Sequence, residues 1–475
     1  MITRSLKQEA LLRYLLLLWI IMLIFGLTLE VFNYFELGST LKGDSLGYVL
    51  FKFDSIENIL SSYRTFGLPL IINIYNFFFS SYKFWPYFVY FLYCFSISSL
   101  FLTLEKAGLD KIINLTICSS FLVNHGMVNG LGFLETETII QVFMVFILSY
   151  SIRYNFINTK FNLIILVLLI FYTYQIRPNL GILVFLTPFW LFFIGYFFQR
   201  NAIKVVLKNS FLVLFCSLIV LISFISLRYL YTSSVGLAAF GGTVISGQAT
   251  SYLNQDNIKK LTGNNLILAK KILVKRSELS VPCNKNIFTE EERHVCGNFF
   301  IVSAWLSAIE LLNGTKVPAS KSEDPAVNKD LAYYFPTNNV KIDKLLKDYS
   351  FTLLEIENKK IIKRYLYEIK KSIKFYISFL IQNPQFLLFY FIFVVFLIDF
   401  FLSKKIQNLT KKFNVNFKSC FRFFLVFQII SCSFLTCGVL STAVIIHLDP
   451  RYLYGLTTFI FPSFIFILPS LIKSS

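Results

Sequence analysis

Long uncharged apolar runs separated by short basic clusters set the pattern of this chain. They lie near residues 11–32, 84–104, 112–128, 137–152, 162–176, 180–198, 209–230, 384–402, 423–446 and 452–472. A helix needs about 20 apolar residues to cross about 30 Å of hydrocarbon. Backbone polar groups in lipid must be satisfied within the segment, so the runs predict helices. A membrane β-barrel would instead show alternating segments of about ten residues, and none is evident in the sequence. The expectation is an all-α polytopic membrane protein with about ten transmembrane helices. Leu11 to Val31 is too long for a signal-peptide core and lacks a small-x-small cleavage site, so it is expected to remain as the first membrane helix.

Orientation follows from the basic loops. Arg4, Lys7 and Arg13 precede the first run, and Lys106 and Lys111, Arg153 and Lys160, and Arg200, Lys204 and Lys208 fill later loops. The loop 403–422 carries six further basic residues, and Lys473 follows the last run. All fall on one face, which the positive-inside rule makes cytoplasmic, with both termini. The predicted setting is a bacterial inner (plasma) membrane. Residues 1–230 then form an N-terminal membrane module with an external loop 33–83. Residues 231–383 form one large extracytoplasmic insertion, and 384–475 supply the C-terminal helices. Lys359 to Phe375 reads as a basic amphipathic helix. Lys360, Lys363, Arg364, Lys371 and Lys374 share one side and Ile362, Leu366, Ile369, Ile373 and Tyr376 the other, as in helices that lie on a membrane surface.

Composition agrees with that pattern. Of 475 residues, 56% are hydrophobic and 15% charged, and mean hydropathy is +0.65. A soluble core could not hide so much apolar surface. The net charge of +19 would suggest nucleic acid in a soluble protein. Here the cations flank apolar runs, so headgroup contact and topology account for it and no nucleic-acid partner is expected.

Candidate chemistry gathers on the outer face. Asp44, just beyond the first run, reads either as a general base taking a proton from an acceptor hydroxyl or amine, or as a loop residue capping a short helix. Glu135 and Glu137, at the outer start of the fourth run, either complement a helix dipole or form a second acidic group that binds the acceptor or a divalent cation such as Mg or Mn. Arg177, before Pro178, suits a phosphate through its planar fork, or snorkels at a helix end. Arg451, in Asp449-Pro450-Arg451-Tyr452, occupies a comparable turn between the last two runs and can reach a lipid phosphate. Of eight cysteines, Cys283 and Cys296 lie in the insertion, where an oxidising compartment predicts a disulfide. A zinc site there lacks a fourth ligand, with His294 the one histidine nearby. Three histidines argue against a His-based triad, and no nucleotide-binding glycine motif follows a strand.

In this order the residues resemble the GT-C superfamily of polyprenyl-phosphate-dependent glycosyltransferases, such as protein O-mannosyltransferases and aminoarabinose transferases. In that group an essential acid follows the first helix, then a segment R-x-x-G-x-P-L. Asp44 and Arg64-Thr65-Phe66-Gly67-Leu68-Pro69-Leu70 match that order. Glu135 or Glu137, Arg177-Pro178 and Arg451-Tyr452 match later positions. The resemblance covers most of the membrane portion, and the Gly-rich Phe240-Gly241-Gly242 is similar to uncharacterised members. One departure is Ser45, where the mannosyltransferases carry Glu after Asp.

The resemblance implies inverting transfer of a sugar from a polyprenyl-phosphate donor to a glycan, lipid or protein acceptor among membrane lipids. Asp44 would be the base, Glu135 and Glu137 acceptor or metal ligands, and Arg64, Arg177 and Arg451 phosphate contacts. An O-antigen-type polymerase or ligase would depend more on external arginines than on an acid. A lipid-linked glycan transporter would show repeats and mid-membrane charges.

Overall fold

The computed structural model describes residues 2–35, 45–109, 111–122, 124–198, 202–279, 288–314, 339–382 and 426–437. These residues are helical, with no strand among them. Five helices are long and apolar enough to cross a membrane: Leu11–Val31, Tyr82–Lys106, Thr136–Phe156, Pro178–Phe197 and Ile203–Thr232. They coincide with five of the ten expected runs.

The first core is a helical bundle. It contains α1 (Ile2–Val31), α5 (Trp85–Lys106), α6 (Lys111–Leu122), α8 (Thr136–Phe156), α9 (Lys160–Ile176), α10 (Leu183–Phe193) and α11 (Ile203–Thr232). α5 packs on α8, α8 on α9, and α10 on α11. Local sequence explains the breaks. Thr159 caps α9 by accepting from the Asn162 N–H, and Pro86 occupies the first turn of α5, where its missing N–H costs nothing. Outward-facing Leu, Ile and Phe on α1, α9 and α11 stay exposed. Bilayer-facing helices carry such side chains because lipid does not penalise them.

The third expected run, 112–128, does not form one span. α6 has 12 residues, a rise of about 18 Å against the 30 Å of hydrocarbon. Asn124 then accepts hydrogen bonds from the N–H groups of Gly126 and Met127, at 2.9 and 3.4 Å, and starts the separate α7 (His125–Gly130). α9, at 17 residues, is also short of the five long spans. The expected runs 384–402 and 452–472 lie outside the described residues. Of 423–446, the described part is the apolar helix Val426–Cys437. It joins the same core through Val426, Phe427, Ile430 and Phe434, and Ser433 accepts a hydrogen bond from Trp190 at 2.9 Å.

The expected outer loop 33–83 holds three helices in its described part: α2 (Ser45–Val49), α3 (Ile56–Ser61) and α4 (Gly67–Phe78). α4 packs on α9 and α3 on α11, which fastens the segment to one end of the bundle.

Beyond α11, a second core joins α12 (Gly241–Thr250), α13 (Gln255–Ile258), α14 (Gly263–Leu279), α16 (Gly297–Asn313) and α17 (Asn339–Ile356). α15 (Glu290–Val295) and α18 (Asn358–Gln382) flank it. The Gly-rich opening has a packing role. A Cβ on Gly242 would fall 2.1 Å from the Asp343 carbonyl oxygen, and the Gly242 N–H donates to Asp343 Oδ1 at 2.6 Å.

Candidate functional site

The site is assembled where α8 begins and α9 ends. Glu135 takes the N-cap position of α8 with extended backbone, but its side chain does not cap the helix. Glu137, in the first turn, is buried. Across from it, Pro178 forces the preceding residue out of helical geometry, and Arg177 is extended at φ −145 and ψ 113. The guanidinium is thereby turned onto Glu137, Nη1 to Oε1, at 3.1 Å. Thr136 Oγ1 donates to the other carboxylate oxygen at 3.1 Å. The side chains are 13% and 9% exposed, so the attraction is little screened and a lone charge there would be costly. The acid and the cation, given separate roles in the sequence reading, neutralise each other.

Next to this pair stand two buried amides without protein partners. Gln141 follows Glu137 by one turn of α8, and Gln175 precedes Arg177 by two residues. Both are fully buried, and neither amide oxygen nor nitrogen finds a hydrogen bond. The Oδ1 of Asn179 is likewise buried without a partner. Orphaned polar groups of this kind mark places that water or a polar ligand fills.

The segment Arg64 to Leu70 is laid against the same end. A Cβ on Gly67 would lie 2.4–2.5 Å from the backbone of Gln175 and Ile176. That distance leaves no room for any other residue at this approach. Tyr172 donates to the Gly67 carbonyl at 2.7 Å. The start of α4 therefore rests on the last turn of α9, immediately before Arg177.

Arg64 sits among aromatic rings. Its guanidinium carbon is 4.9 Å from the centroids of Tyr48 and Tyr63 and 5.3 Å from that of Phe240, cation–π distances for all three. Tyr48 belongs to α2, which starts at the buried Ser45. Asp44 immediately precedes that residue in sequence and lies outside the described residues, as do Arg451 and Cys283.

Arg228 went unnoticed in the sequence, although a charge near the end of an apolar run was already a reason to single out Arg177. It is fully buried in α11. Its Nε donates to the Leu60 carbonyl at 3.0 Å, and its Nη1 donates to the Ser234 and Gly236 carbonyls at 3.0 and 3.2 Å. With the Ala239 N–H donating to Ser62 at 3.1 Å, it ties the chain leaving α11 to the segment before Arg64.

For a divalent cation the fit is poor. Among the described residues no group of three or more His, Cys, Asp or Glu side chains could hold a metal, and Glu137 is engaged by Arg177. In the insertion Cys296 is disulfide-bonded, with its partner outside the described residues. Cys94, Cys118, Cys216, Cys432 and Cys437 are free.

No family model, no curated protein and no solved structure matches this chain.

Proposed function

We propose that this chain is a membrane glycosyltransferase of GT-C-like plan, with about ten transmembrane helices, that moves a sugar from a polyprenyl-phosphate donor to an acceptor on the outer face of a bacterial plasma membrane. One observation carries the reading: Gly67 sits on the backbone of Gln175 and Ile176. That contact joins Arg64–Leu70 to Arg177, and Arg177 is bonded to Glu137. Three stretches far apart in sequence, picked out for their chemistry, thus meet at one end of the bundle.

In this mechanism Asp44 takes the acceptor proton as the acceptor oxygen or nitrogen attacks the anomeric carbon. The bond from that carbon to the phosphate oxygen breaks on the opposite face, so the anomeric centre inverts. Negative charge grows on the departing lipid phosphate, and fixed cations stabilise it most when held in place before the reaction. Arg64, braced by three rings, and Arg177, oriented by Glu137, meet that requirement, and Arg451 is assigned to the same phosphate. The unpartnered amides of Gln141 and Gln175 suit sugar hydroxyls.

The test is sugar transfer by purified full-length protein from a lipid-linked donor. Asp44→Asn is expected to lower the rate about 10²–10⁴-fold, the usual worth of a general base. Full activity at normal expression removes Asp44 from the mechanism. Loss on arginine but not Asp44 substitution favours a polymerase or ligase.

A further inference from the structure

α18 is amphipathic, but it is mounted the opposite way from a helix on a soluble domain. Arg364, Glu368 and Ser372 recur at every fourth position and form one stripe. Arg364 and Glu368 are each 1% exposed and ion-paired with one another. Arg364 was expected to share one side with Lys360, Lys363, Lys371 and Lys374, and the fold buries it while Lys360, Lys363 and Lys374 stay exposed. Its Nη1 donates to the Glu290 backbone carbonyl at 2.7 Å and to Glu290 Oε2 at 3.4 Å. Lys371 meets Glu291 at 2.6 Å, and Tyr367 donates to the same carboxylate. The polar stripe is thereby fixed to α15.

Leu366 and Ile373 stand on the opposite side of the helix from Arg364, and are 59% and 48% exposed. Lys363, Lys370 and Lys374 are exposed along one border of that apolar stripe. Burying an ion pair while leaving these two aliphatic side chains outside suits a face that meets an apolar phase bordered by anions. The chain already carries five helices apolar enough to span a bilayer, and the apolar run 384–402 begins just after α18 ends.

We propose that α18 is a two-sided bracket between the insertion and the bilayer. Its polar stripe is locked to α15, its Leu366–Ile373 stripe lies at the acyl boundary of the facing leaflet, and Lys363, Lys370 and Lys374 contact anionic lipid phosphates. Helices of this composition bind at that depth, and anionic lipid strengthens them. The proposal needs the chain to be a membrane protein and does not need it to be a transferase.

The experiment uses the unmodified full-length chain in nanodiscs of phosphatidylethanolamine and phosphatidylglycerol. The lipid carries a carbene-generating group on its acyl chain, and labelled positions are mapped by mass spectrometry. Insertion is expected at Leu366 and Ile373 and not at the exposed Lys259 of the same domain. Replacing Lys363, Lys370 and Lys374 by Gln is expected to lower labelling at least roughly fivefold, the worth of one lysine at an anionic surface. Should that variant not fold, the unmodified chain in nanodiscs of phosphatidylcholine alone is expected to show the same drop. No label at Leu366 and Ile373 overturns the bracket, whether water or another protein covers the face. Labelling that ignores lysines and headgroup charge overturns the phosphate contact. A chain inactive in sugar transfer would label identically, so the two proposals fail separately.

Discussion

The bundle and the insertion treat charge and apolar surface in opposite ways. On α1, α9 and α11 aliphatic and aromatic side chains face outward, and a buried ion pair described in the bundle is Glu137–Arg177. The insertion buries several charges. Lys275, in α14, meets Glu310 at 2.6 Å and Glu278 at 2.9 Å, the fully buried Asp343 meets Lys347 at 2.7 Å, and Arg364 pairs with Glu368. Lipid allows apolar surface outside and leaves packing and hydrogen bonds to hold helices together. The insertion's core is built mainly from leucine and isoleucine, and ion pairs such as Lys275–Glu310 and Arg364–Glu290 also link its helices. The bundle should therefore be sensitive to backbone approach, and the insertion to loss of a counter-ion.

The largest effect is expected from Lys275→Met. It leaves the Glu310 carboxylate, little exposed, without its nearest cation and should cost the insertion about 3–5 kcal/mol. A two-step thermal transition, with the bundle melting unchanged, would bear out the contrast; a single shared transition shifted as a whole would break it. The same lysine gives a pH dependence. Burial by itself would push its ammonium down, but the hydrogen bonds it donates to Glu310 and Glu278 outweigh burial and hold it above the ordinary 10.5. A raised value means the stabilisation is complete below pH 10.5 and fades as pH climbs through the folded value. Alkaline titration should loosen the insertion above that point, and Lys275→Met should flatten the slope.

Next in size is Gly67→Ala. The added Cβ meets backbone, which cannot swing aside as a side-chain tip can. Overpacking of this kind costs about 1–3 kcal/mol, and here it should also part Arg64–Leu70 from Arg177. Bundle melting and sugar transfer should fall together while the insertion's transition stays put. A lowered melting point with full transfer would separate the contact from the chemistry.

The smallest expected effect is Ser55→Ala at the start of α3, where the hydroxyl accepts from the Asn58 N–H at 3.0 Å. Loss of an exposed cap costs about 1 kcal/mol. Hydrogen exchange should rise in α3 and leave the ion-paired helices of the insertion unaffected; a rise that spread to them would show the two regions to be one cooperative unit.

Much of the bundle was legible because span length is a local property. A stretch such as Thr136–Phe156 or Ile203–Thr232 declares itself by apolar residues alone. The third run misled because its apolar residues outnumber Asn124 and His125, and the capping bonds of Asn124 outweigh the pattern around it. Arg177 stood out because charges at membrane depth are rare, and Glu137 because it and Glu135 share the start of a helix.

Their partnership did not stand out, since it spans 40 positions and depends on how α8 and α9 pack. Nor did the seat of Gly67, the three carbonyls on Arg228, or the face of α18 that turns inward. Amphipathicity told that α18 has two faces, and the acids of α15 decided which is buried. Composition within a window of about 20 residues settles the preferred solvent of a helix. Which buried polar group meets which depends on contacts between distant segments, and those exist only once the helices have packed.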